Sequence, residues 1–539
     1  MEVNLLYLAA VLSLVAYLYR LITQNQDYFH DKPIPSLRSR PLLGSTWSLL
    51  LKQVTFSDFV IYVYNKFPGV KVLGMFEILT PFFVIRDPEL IKQIAVKDFD
   101  HFLDHRPFFG ESDDTEEHPY ALIKRILFTL NGQRWRNMRA TLSPAFTGRK
   151  MRQMFTLMVD CSERMLQHYE TLMSGTGRRM EVEVKDMLSR YGINVIASCA
   201  FGIEVDCFKD ADHEFMYHGQ RMLQMGNPIV IAKMIFMRVF PSVAKRLGMD
   251  VMNREQAVYF SNLIKDTIRT RESKGIVRHD MIDLLLQARK GTLKYEEERE
   301  EAAEGFATVQ ESEVGKVQVT KAISETDMIA QCLIFFIAGF EAVSTSSMFI
   351  IYELILNPDI QQKLYEEVRR TCEELNGKPL TYEALQGMKY MDMVVSEMLR
   401  KWPLSPVSDR MCVRDYNLDD GQGLKFTIDK GTCVWFPIHG LHHDPQYFPN
   451  PNQFDPERFN EENKMNIQTG TYMPFGIGPR NCIGSRFALM ELKAIMYHLL
   501  RKFSFHRSEK TQIPMKLRKG MNNVGTDEGM HVELRLRNV

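Results

Sequence analysis

The sequence has no excess charge of either sign, no ordered cysteine spacing and no glycine-rich nucleotide-binding unit. Lysine and arginine together number 67, as do aspartate and glutamate, so the net charge is zero. A neutral chain argues against nucleic acid as a partner. The eight cysteines form no CxxC pair and no regular framework, which favours a reducing compartment over a secreted, disulfide-bonded protein. Without a unit of the Rossmann type, any electrons from a nicotinamide nucleotide must come through another protein.

No stretch of the 539 residues is typical of an interdomain linker, although a chain of this length usually divides into several domains. A large bound cofactor could act as the nucleus of one oversized domain. Alternating residues from about Val70 to Ile85 predict a small antiparallel sheet. From Met151 to Arg289 the pattern predicts long amphipathic helices, broken at Gly192, Pro228 and Pro241.

The segment from Phe475 to Gly484, FGIGPRNCIG, carries the strongest chemical signal. Cys482 precedes an apolar segment with helical spacing, so its thiol is predicted at a loop-to-helix junction. Unpaired backbone N–H groups and the helix dipole would favour a thiolate there, which is a soft metal ligand. Gly476 and Gly478 permit a tight turn, and Arg480 supplies a cation for a carboxylate. The alternative is a buried free cysteine in a glycine-rich turn.

This segment resembles the haem-binding signature of the cytochrome P-450 family. Six positions fall at the family's spacing: Phe475, Gly476, Gly478, Arg480, Cys482 and Gly484. The resemblance implies a haem b whose proximal iron ligand is the Cys482 thiolate, with Phe475, Arg480 and Gly484 also in contact with the cofactor. It implies a mainly α fold with small antiparallel β-sheets, built as a single large haem-centred domain.

The N-terminal segment from Val3 to Leu18 is almost uninterruptedly apolar, and with its flanks it is long enough to cross a bilayer as one helix. No positive charge precedes it and no A-x-A-like site follows, which argues against a cleavable signal peptide. Positive charges after it predict a cytosolic body. We therefore expect a transmembrane anchor over residues 1–22, a proline-rich hinge over 23–45 and the haem-thiolate catalytic domain over 46–539. The arrangement resembles microsomal members of the family and implies the endoplasmic reticulum membrane.

Two segments predict further contacts to the haem. Between His101 and Leu130 the pattern is poorly helical and predicts a long functional loop. In the following GQRWRNMRATLSPAF, Trp135 and Arg139 are four residues apart and share one helix face. The resemblance implies that both reach a haem propionate, and the alternative is a surface cation–π pair. It also assigns Arg410 to a propionate and a substrate-lining role to Phe108, Phe109, Phe128, Pro406, Val407 and Ser408.

The stretch from Asp327 to about Leu356 is apolar nearly all round, which predicts a buried helix. Within its AGFEAVSTSS motif, Ala338 and Gly339 would let a flat cofactor and a small gas molecule approach the backbone, with local widening of the helix possible. Glu341 is an ionisable group in a predicted buried context, which is costly unless the group is used or paired.

This motif resembles the family's I-helix, which implies roles in oxygen chemistry for Gly339, Glu341 and position 342. The family places there a threonine that steers protons to dioxygen, whereas this chain has Ala342. Thr345 and Ser346, one turn further on, are predicted to face the same way and to act through water.

Two other motifs predict a bracing network. Glu397 and Arg400 are three residues apart on a predicted helix, and Arg458 lies in a PERF sequence. They resemble the family's ExxR and PERF elements, which implies that the three side chains interlock beneath the cysteine loop. His439 and His443 have the spacing of a helical metal pair, but no acidic third ligand is suitably placed.

Two segments lie between these motifs. The apolar stretch from Pro228 to Val243 is predicted either as core or, from the resemblance, as a roof of the substrate cavity that dips into the bilayer. The charged run from Lys294 to Lys316 predicts a solvated, partly disordered connector.

The resemblance covers essentially the whole chain and is greatest to insect microsomal members of family nine. It implies a monooxygenase that inserts one oxygen atom of O2 into lipophilic foreign compounds such as plant toxins or insecticides. Electrons would come from NADPH through a separate reductase, with cytochrome b5 as a candidate second donor. Arg149, Lys150 and Arg152 are candidate docking cations. The alternatives are a haem-thiolate isomerase or dehydratase acting on a peroxide, which Ala342 would suit, and a haem sensor without catalysis.

Overall fold

The computed structural model describes residues 12–13, 16, 19–20, 25, 27–107, 121–175, 177–222, 227–247, 249–291, 305–309, 311–317, 323–521 and 524–537. The predicted anchor over residues 1–22 falls almost entirely outside the described residues, as do Phe108 and Phe109.

Helices form most of the described fold, in agreement with the mainly α class predicted from the resemblance. Proline at the first helical position starts several of them, because its fixed φ suits that position and its missing N–H is not needed there. The helices are α1 Trp47–Leu50, α2 Phe56–Asn65, α3 Pro88–Lys92, α4 Gly132–Leu142, α5 Gly148–Met173, α6 Val184–Ile196, α7 Glu214–Arg221, α8 Pro228–Val239, α9 Pro241–Arg246, α10 Arg254–Lys274, α11 Met281–Arg289, α12 Glu313–Lys316, α13 Glu325–Leu356, α14 Pro358–Leu375, α15 Tyr382–Gln386, α16 Lys389–Lys401, α17 Ile438–His442 and α18 Ser485–Lys502.

Three small sheets accompany the helices. Their strands are β1 Val72–Glu77, β2 Thr80–Ile85, β3 Arg179–Glu183, β4 Ser408–Met411, β5 Tyr416–Asp419, β6 Lys425–Ile428, β7 Cys433–Phe436, β8 Phe503–Arg507 and β9 His531–Leu536. The predicted antiparallel pair at the start is confirmed as β1 and β2. The expectation of wholly antiparallel sheets is wrong in one place, because β2 and β7 pair in parallel within a four-stranded sheet of order β1-β2-β7-β4.

The long helix α13 is the centre of the fold and is buried as predicted. Ser324 caps it by accepting a hydrogen bond from the Asp327 N–H. Helix α6 packs along it, and α6 runs unbroken through Gly192, so the predicted break at this glycine is wrong. A side chain at Gly192 would lie 3.3 Å from the backbone of Phe340. This glycine therefore lets two helices approach closely and does not end one. The AGFEAVSTSS motif is α-helical throughout, so the helix does not widen at Ala338 and Gly339.

The described part of the proline-rich segment lies on the catalytic body. The Gly74 N–H donates to the carbonyl of Pro35, and the Ser45 N–H donates to that of Phe76, so the segment adds to the edge of β1. Phe29 is buried in the same cluster as β2. The described residues 27–45 of the predicted hinge therefore include direct contacts with the catalytic body.

Part of the charged connector is also packed against the body. Phe306 donates its N–H to Asp392 and contacts the rings of Phe459 and Tyr472. Glu311 is paired with Arg139. The expectation of a solvated connector is therefore wrong for Phe306 and Glu311, which apolar and ionic contacts hold against the body, whereas Glu313 is exposed as expected.

Helices α8 and α9 begin at Pro228 and Pro241, where the sequence predicted breaks. They form a small apolar cluster that includes Met237, Ala244 and Val251, separate from the main core. Of the described residues, only α13 is long and apolar enough to cross a bilayer, and it is mostly buried inside the protein.

Candidate active site

A cavity of about 450 Å³ lies between α13 and the loop that precedes α18. Its walls also come from α4, the loop before α4, and the segment that leads into β4. It brings together most of the predicted site residues: Phe128, Trp135, Arg139, Gly339, Ala342, Val407, Ser408, Phe475, Arg480, Cys482 and Gly484. Among the described residues, the lining set does not include the predicted Glu341, Pro406 and Arg410.

The cysteine loop has the tight geometry that its glycines predict. Gly476 and Gly478 have φ of +78° and +74°, a region that glycine adopts without steric cost. The Cys482 N–H donates to the Phe475 carbonyl over 2.9 Å, which closes the loop. Helix α18 begins at Ser485, so Cys482 lies three residues before it, at the predicted junction.

The Cys482 side chain is exposed, and the surface it exposes belongs to the interior cavity. Burial raises the pKa of the Cys482 thiol, while the hydrogen bond from the Gly484 N–H and the charge of Arg139 lower it. The Gly484 N–H and the Arg139 charge favour the thiolate, but the effect of burial is larger in the protein alone. A cation bound at the thiolate would supply the missing stabilisation.

Arg480 lies deep in the wall, with its guanidinium 4.1 Å from the centre of the Trp135 ring. Its Nε donates to the Leu103 carbonyl and its Nη2 to the Leu130 carbonyl, both over 2.8 Å. Its Nη1 is buried and has no hydrogen-bond partner among the described residues. A buried, charged donor without a partner is costly, so a carboxylate on a ligand in the cavity would suit this position.

Arg410 is fully buried and turns its Nη2 to the Ile477 carbonyl in the cysteine loop, over 2.8 Å. Its Nε also lacks a partner among the residues that the structure describes. Burial lowers the pKa of Arg410 to about 10, against the opposing effect of Asp409. The predicted propionate contact would therefore need this Nε–H or the second hydrogen of Nη2, since Nη1 already donates to Ser408 and Asp409.

Arg139 differs from the expectation for a residue that holds a propionate. It makes four hydrogen bonds, two to the Glu311 carboxylate and two to Asn481, the neighbour of Cys482. Its guanidinium therefore connects α4 to the cysteine loop. The motif spacing places Trp135 and Arg139 on the cavity side as predicted, but it contains no signal for Glu311, which lies 172 residues further along the chain.

Helix α13 lines the cavity with seven residues: Ile334, Phe335, Ala338, Gly339, Ala342, Val343 and Ser346. The prediction that Glu341 is buried is wrong, because its side chain is 47% exposed and forms an ion pair with Lys185 at 3.2 Å. Lys185 also donates to Ser344 over 2.6 Å and to Thr345 over 2.8 Å. Thr345 therefore faces Lys185 of α6 and not the cavity. Of the two hydroxyls expected at the cavity, only that of Ser346 lines it.

The bracing network forms as predicted. Glu397 and Arg400 are fully buried and joined by two hydrogen bonds of 2.7 and 2.8 Å. Arg458 Nε lies 3.4 Å from the Glu397 carboxylate. Burial raises the pKa of Glu397, although Arg400 opposes this. Arg400 also donates to the carbonyls of His442 and Pro451, so the network fixes the segment between β7 and the cysteine loop.

Sequence reasoning missed two polar residues in the cavity wall. His105 and Asp409 both line it, with 3.2 Å between His105 Nδ1 and the Asp409 carboxylate, and the His105 ring stacks on Phe128. Burial lowers the pKa of His105, against the effect of Asp409. Asp409 precedes the predicted Arg410, and His105 lies within the predicted loop, but no motif marks either residue.

The two histidines with the spacing of a helical metal pair contact each other. His439 and His443 stack with ring centres 4.4 Å apart, and burial lowers the pKa of both. No group of three or more His, Cys, Asp or Glu side chains suited to a metal ion occurs within the described ranges.

The residues of the cavity fit a haem. One wall carries a thiol at a tight loop, the facing helix offers glycine and alanine, and Arg480 has an unpartnered buried donor for an acidic substituent. When bound, the haem would supply the redox chemistry, and Cys482 would hold its iron.

Comparisons with known proteins agree with this geometry. The family model described as Cytochrome P450 matches residues 35–530. The chain is 41% identical to Cytochrome P450 9e2 of Blattella germanica, over 99% of this chain and 98% of that protein. It is 40% identical to Probable cytochrome P450 9f2 of Drosophila melanogaster, over 97% and 98%, and 38% identical to Cytochrome P450 9c1 of the same species, over 95% of each. This chain therefore belongs to the cytochrome P450 family of haem-thiolate monooxygenases.

Proposed function

We propose that the protein is a membrane-bound monooxygenase that inserts one oxygen atom of O2 into lipophilic foreign compounds, with electrons from NADPH delivered by a separate cytochrome reductase. Membership of the family makes the chain an oxidoreductase that uses a thiolate-ligated haem b, a redox partner, O2 and a lipophilic substrate. The substrate class, the named reductase and the endoplasmic reticulum membrane are the finer parts of the proposal.

One observation carries the proposal: the Cys482 thiol lines the same cavity as Gly339 and Ala342 of α13. We assign Cys482 as the axial ligand of the haem iron, and Trp135, Phe475, Arg480 and Gly484 to the walls around the cofactor. Arg480 would hold an acidic substituent through its free N–H.

The remaining wall supports a lipophilic substrate. Apolar side chains such as Phe128, Ile334, Phe335, Leu404 and Val407 line the cavity beside the cofactor residues. Burial of apolar surface would be the main source of substrate affinity. The neighbouring Ser408, Asp409 and His105 offer a small number of polar contacts that could orient a substrate.

The membrane part rests on two segments. The apolar N-terminal stretch is proposed as an anchor over residues 1–22, followed by the proline-rich segment and the catalytic domain. Helices α8 and α9 expose apolar side chains, with Ile229 at 76% and Leu247, just after α9, at 66% exposure. Such exposure is typical of a surface that contacts lipid or another protein.

The second candidate is an isomerase or dehydratase that acts on a peroxide. Ala342 favours it, because that chemistry needs neither delivered protons nor a reductase. The two functions differ in one measurable quantity, the consumption of NADPH in the presence of purified reductase.

The test uses purified full-length protein. The reduced, carbon monoxide-bound protein should show the thiolate-type absorption spectrum, and Cys482→Ser should abolish it, because a hydroxyl is neither soft nor ionised near neutral pH. Cys372→Ser, which removes a partly exposed thiol on α14, is the matched control and should leave the spectrum unchanged. Retention of the thiolate-type spectrum in Cys482→Ser would overturn the ligand assignment. Substrate-dependent consumption of NADPH with reductase then separates the monooxygenase from the peroxide-driven alternative and from a haem sensor.

A further inference from the structure

A short segment of the charged connector lies against the side of the cysteine loop that faces away from the main cavity. This segment, here called the strap, comprises residues 305–309 and 311–317. A small second cavity is lined by Val309 and Glu311 of the strap together with Cys482, Ile483 and Ser485. The strap is therefore a direct neighbour of the thiol that would bind the haem iron.

Two glycines seat the strap closely on the body. A side chain at Gly305 would meet the Asp392 carboxylate, which is paired with Lys493 of α18 at 2.8 Å. A side chain at Gly315 would meet Glu311 and the hydroxyl of Ser143, each at 2.5 Å. At both positions a Cβ would displace polar side chains that contact the strap, so glycine favours this close seating.

Glu311 makes the strap's principal polar contact. Its carboxylate accepts two hydrogen bonds from Arg139, of 2.6 and 3.2 Å, and one of 3.0 Å from Ser143. The Arg139 side chain is only 3% exposed and that of Glu311 15%, so water screens the pair weakly. A bidentate pair of this kind fixes the plane of the guanidinium.

Arg139 passes this constraint to the cysteine loop. Its Nη1 donates to the Asn481 carbonyl and its Nη2 to the Asn481 side-chain oxygen, each over 2.7 Å. The carbonyl belongs to the peptide bond that leads into Cys482. A chain of direct contacts therefore runs from Glu311 through Arg139 to the backbone beside the thiol.

We propose that Glu311 is a positioning residue for the haem-thiolate centre: it fixes Arg139 against the cysteine loop, and its negative charge offsets the positive charge of Arg139 beside Cys482. This inference rests on the proposed role of Cys482 as the haem ligand. It assigns to Arg139 a task on the protein side of the centre, in addition to any contact with the cofactor.

The negative charge of Glu311 should change the reduction potential of the haem-thiolate centre in a definite direction. Reduction of the centre adds negative charge, so loss of a nearby carboxylate stabilises the reduced state and shifts the reduction potential in the positive direction. The reduced, carbon monoxide-bound protein should keep the thiolate-type spectrum, because the positive charge of Arg139 remains beside Cys482.

The strap contains a matched control. Glu313 lies two residues from Glu311, and its side chain is 90% exposed, paired only with Lys316 among the described residues. Glu313→Gln removes the same charge from the same segment without touching Arg139. Solvent and salt should screen this change almost completely.

The experiment measures the midpoint reduction potential and the thiolate-type fraction in the wild type and in three variants, Glu311→Gln, Glu311→Asp and Glu313→Gln. We expect a positive shift in Glu311→Gln with the thiolate-type spectrum retained, and wild-type potentials in Glu313→Gln and in Glu311→Asp, which keeps the charge. Equal potentials in Glu311→Gln and Glu313→Gln would overturn the inference.

Haem binding by the variants also tests the role of Glu311. If Glu311→Gln binds no haem, restored binding in Glu311→Asp supports a requirement for the carboxylate at this position. Failure of both variants beside a normal Glu313→Gln would contradict the charge argument and indicate a packing role only. A wild type without any thiolate-type spectrum would instead refute the proposed haem ligand, a result that these variants do not produce.

Discussion

Ala342 stands on the cavity wall at the position where the family pattern has a threonine. A monooxygenase must deliver protons as oxygen is reduced, and a hydroxyl at this position normally holds the water that supplies them. The nearest alternative hydroxyl on the cavity face of α13 is Ser346, one turn further on. Thr345 is bonded to Lys185 on the other side of the helix. Because residue 342 is alanine, the nearest hydroxyl on the cavity face of α13 lies one helical turn away, at Ser346.

We predict that Ala342→Thr raises the fraction of consumed NADPH that is recovered as oxidised product and lowers the release of peroxide. A hydroxyl at this position would order water close to the oxygen site, and a positioned proton donor is worth roughly a hundred- to ten-thousand-fold in rate. Substrate affinity should change little. The measurement is product and peroxide per NADPH with one good substrate, and equal or worse coupling in the variant would mean that the native site already orders its protons by another path.

Ser346→Ala should have the opposite effect and increase the peroxide formed per NADPH. Loss of one hydrogen bond to water, at about 1 kcal/mol, corresponds to about fivefold in the partition between product and peroxide. Thr345→Val is the control, because it removes a hydroxyl of the same helix that faces Lys185. Should Thr345→Val raise peroxide release as much as Ser346→Ala, the cavity-facing position of the hydroxyl would have no bearing on proton supply.

Within elements, the local motifs were predictable from the sequence and the partners of their side chains were not. The i,i+3 pair of Glu397 and Arg400 and the glycine turn before Cys482 depend on neighbours in sequence, so spacing alone locates them. Helix α13 is apolar nearly all round, so its pattern contains no marker for the face that carries Glu341. That face is decided by Lys185 of α6, which lies 156 residues earlier in the chain. Likewise Gly192 looks like a helix break until the close approach of α13 is known.

Helix α18 contains a buried carboxylic acid that gives a test at this scale. Glu491 is fully buried, and neither carboxyl oxygen has a hydrogen-bond partner among the residues described. Burial raises the pKa of Glu491 well above its usual range. The folded protein therefore binds this proton more tightly than the unfolded chain, in which the pKa is about 4.3. Its contribution to stability is complete below that pKa and is lost as the pH rises towards the folded pKa.

We predict that Glu491→Gln, which cannot ionise, removes this loss and gains thermal stability relative to the wild type as the pH rises from 5 to 7. The measurement is the midpoint of thermal unfolding at both pH values and one fixed scan rate, since large proteins often unfold irreversibly. Glu366→Gln, an exposed change on α14, is the control and should show no such trend. A difference between Glu491→Gln and the wild type that is independent of pH would contradict the assignment of the proton to Glu491.

At the scale of the whole molecule, one group of exposed apolar residues lies in the segment from α8 to the turn after α9. Ile229, Val243 and Leu247 lie together on α8 and α9 and the turn after them, and they are 76%, 46% and 66% exposed. The cluster beneath them is separate from the main core. A second apolar contact with the bilayer would account for this surface and would bring the protein to the phase in which lipophilic substrates dissolve.

We predict that deletion of Met1 to Arg20 releases part of the protein from membranes, leaves haem bound, and leaves a residual association through α8 and α9. Ile229→Glu in the deleted protein should then weaken vesicle binding, because burial of one such side chain contributes about 2 kcal/mol, or roughly thirtyfold in a partition constant. Val277→Glu is the matched control, since Val277 is 74% exposed in the loop after α10. The measurement is sedimentation with vesicles at fixed lipid, with the absorption spectrum as a check on haem. Equal binding of Ile229→Glu and Val277→Glu, or complete solubility after the deletion alone, would show that α8 and α9 do not touch the membrane and that the lipophilic substrate must reach the cavity from water.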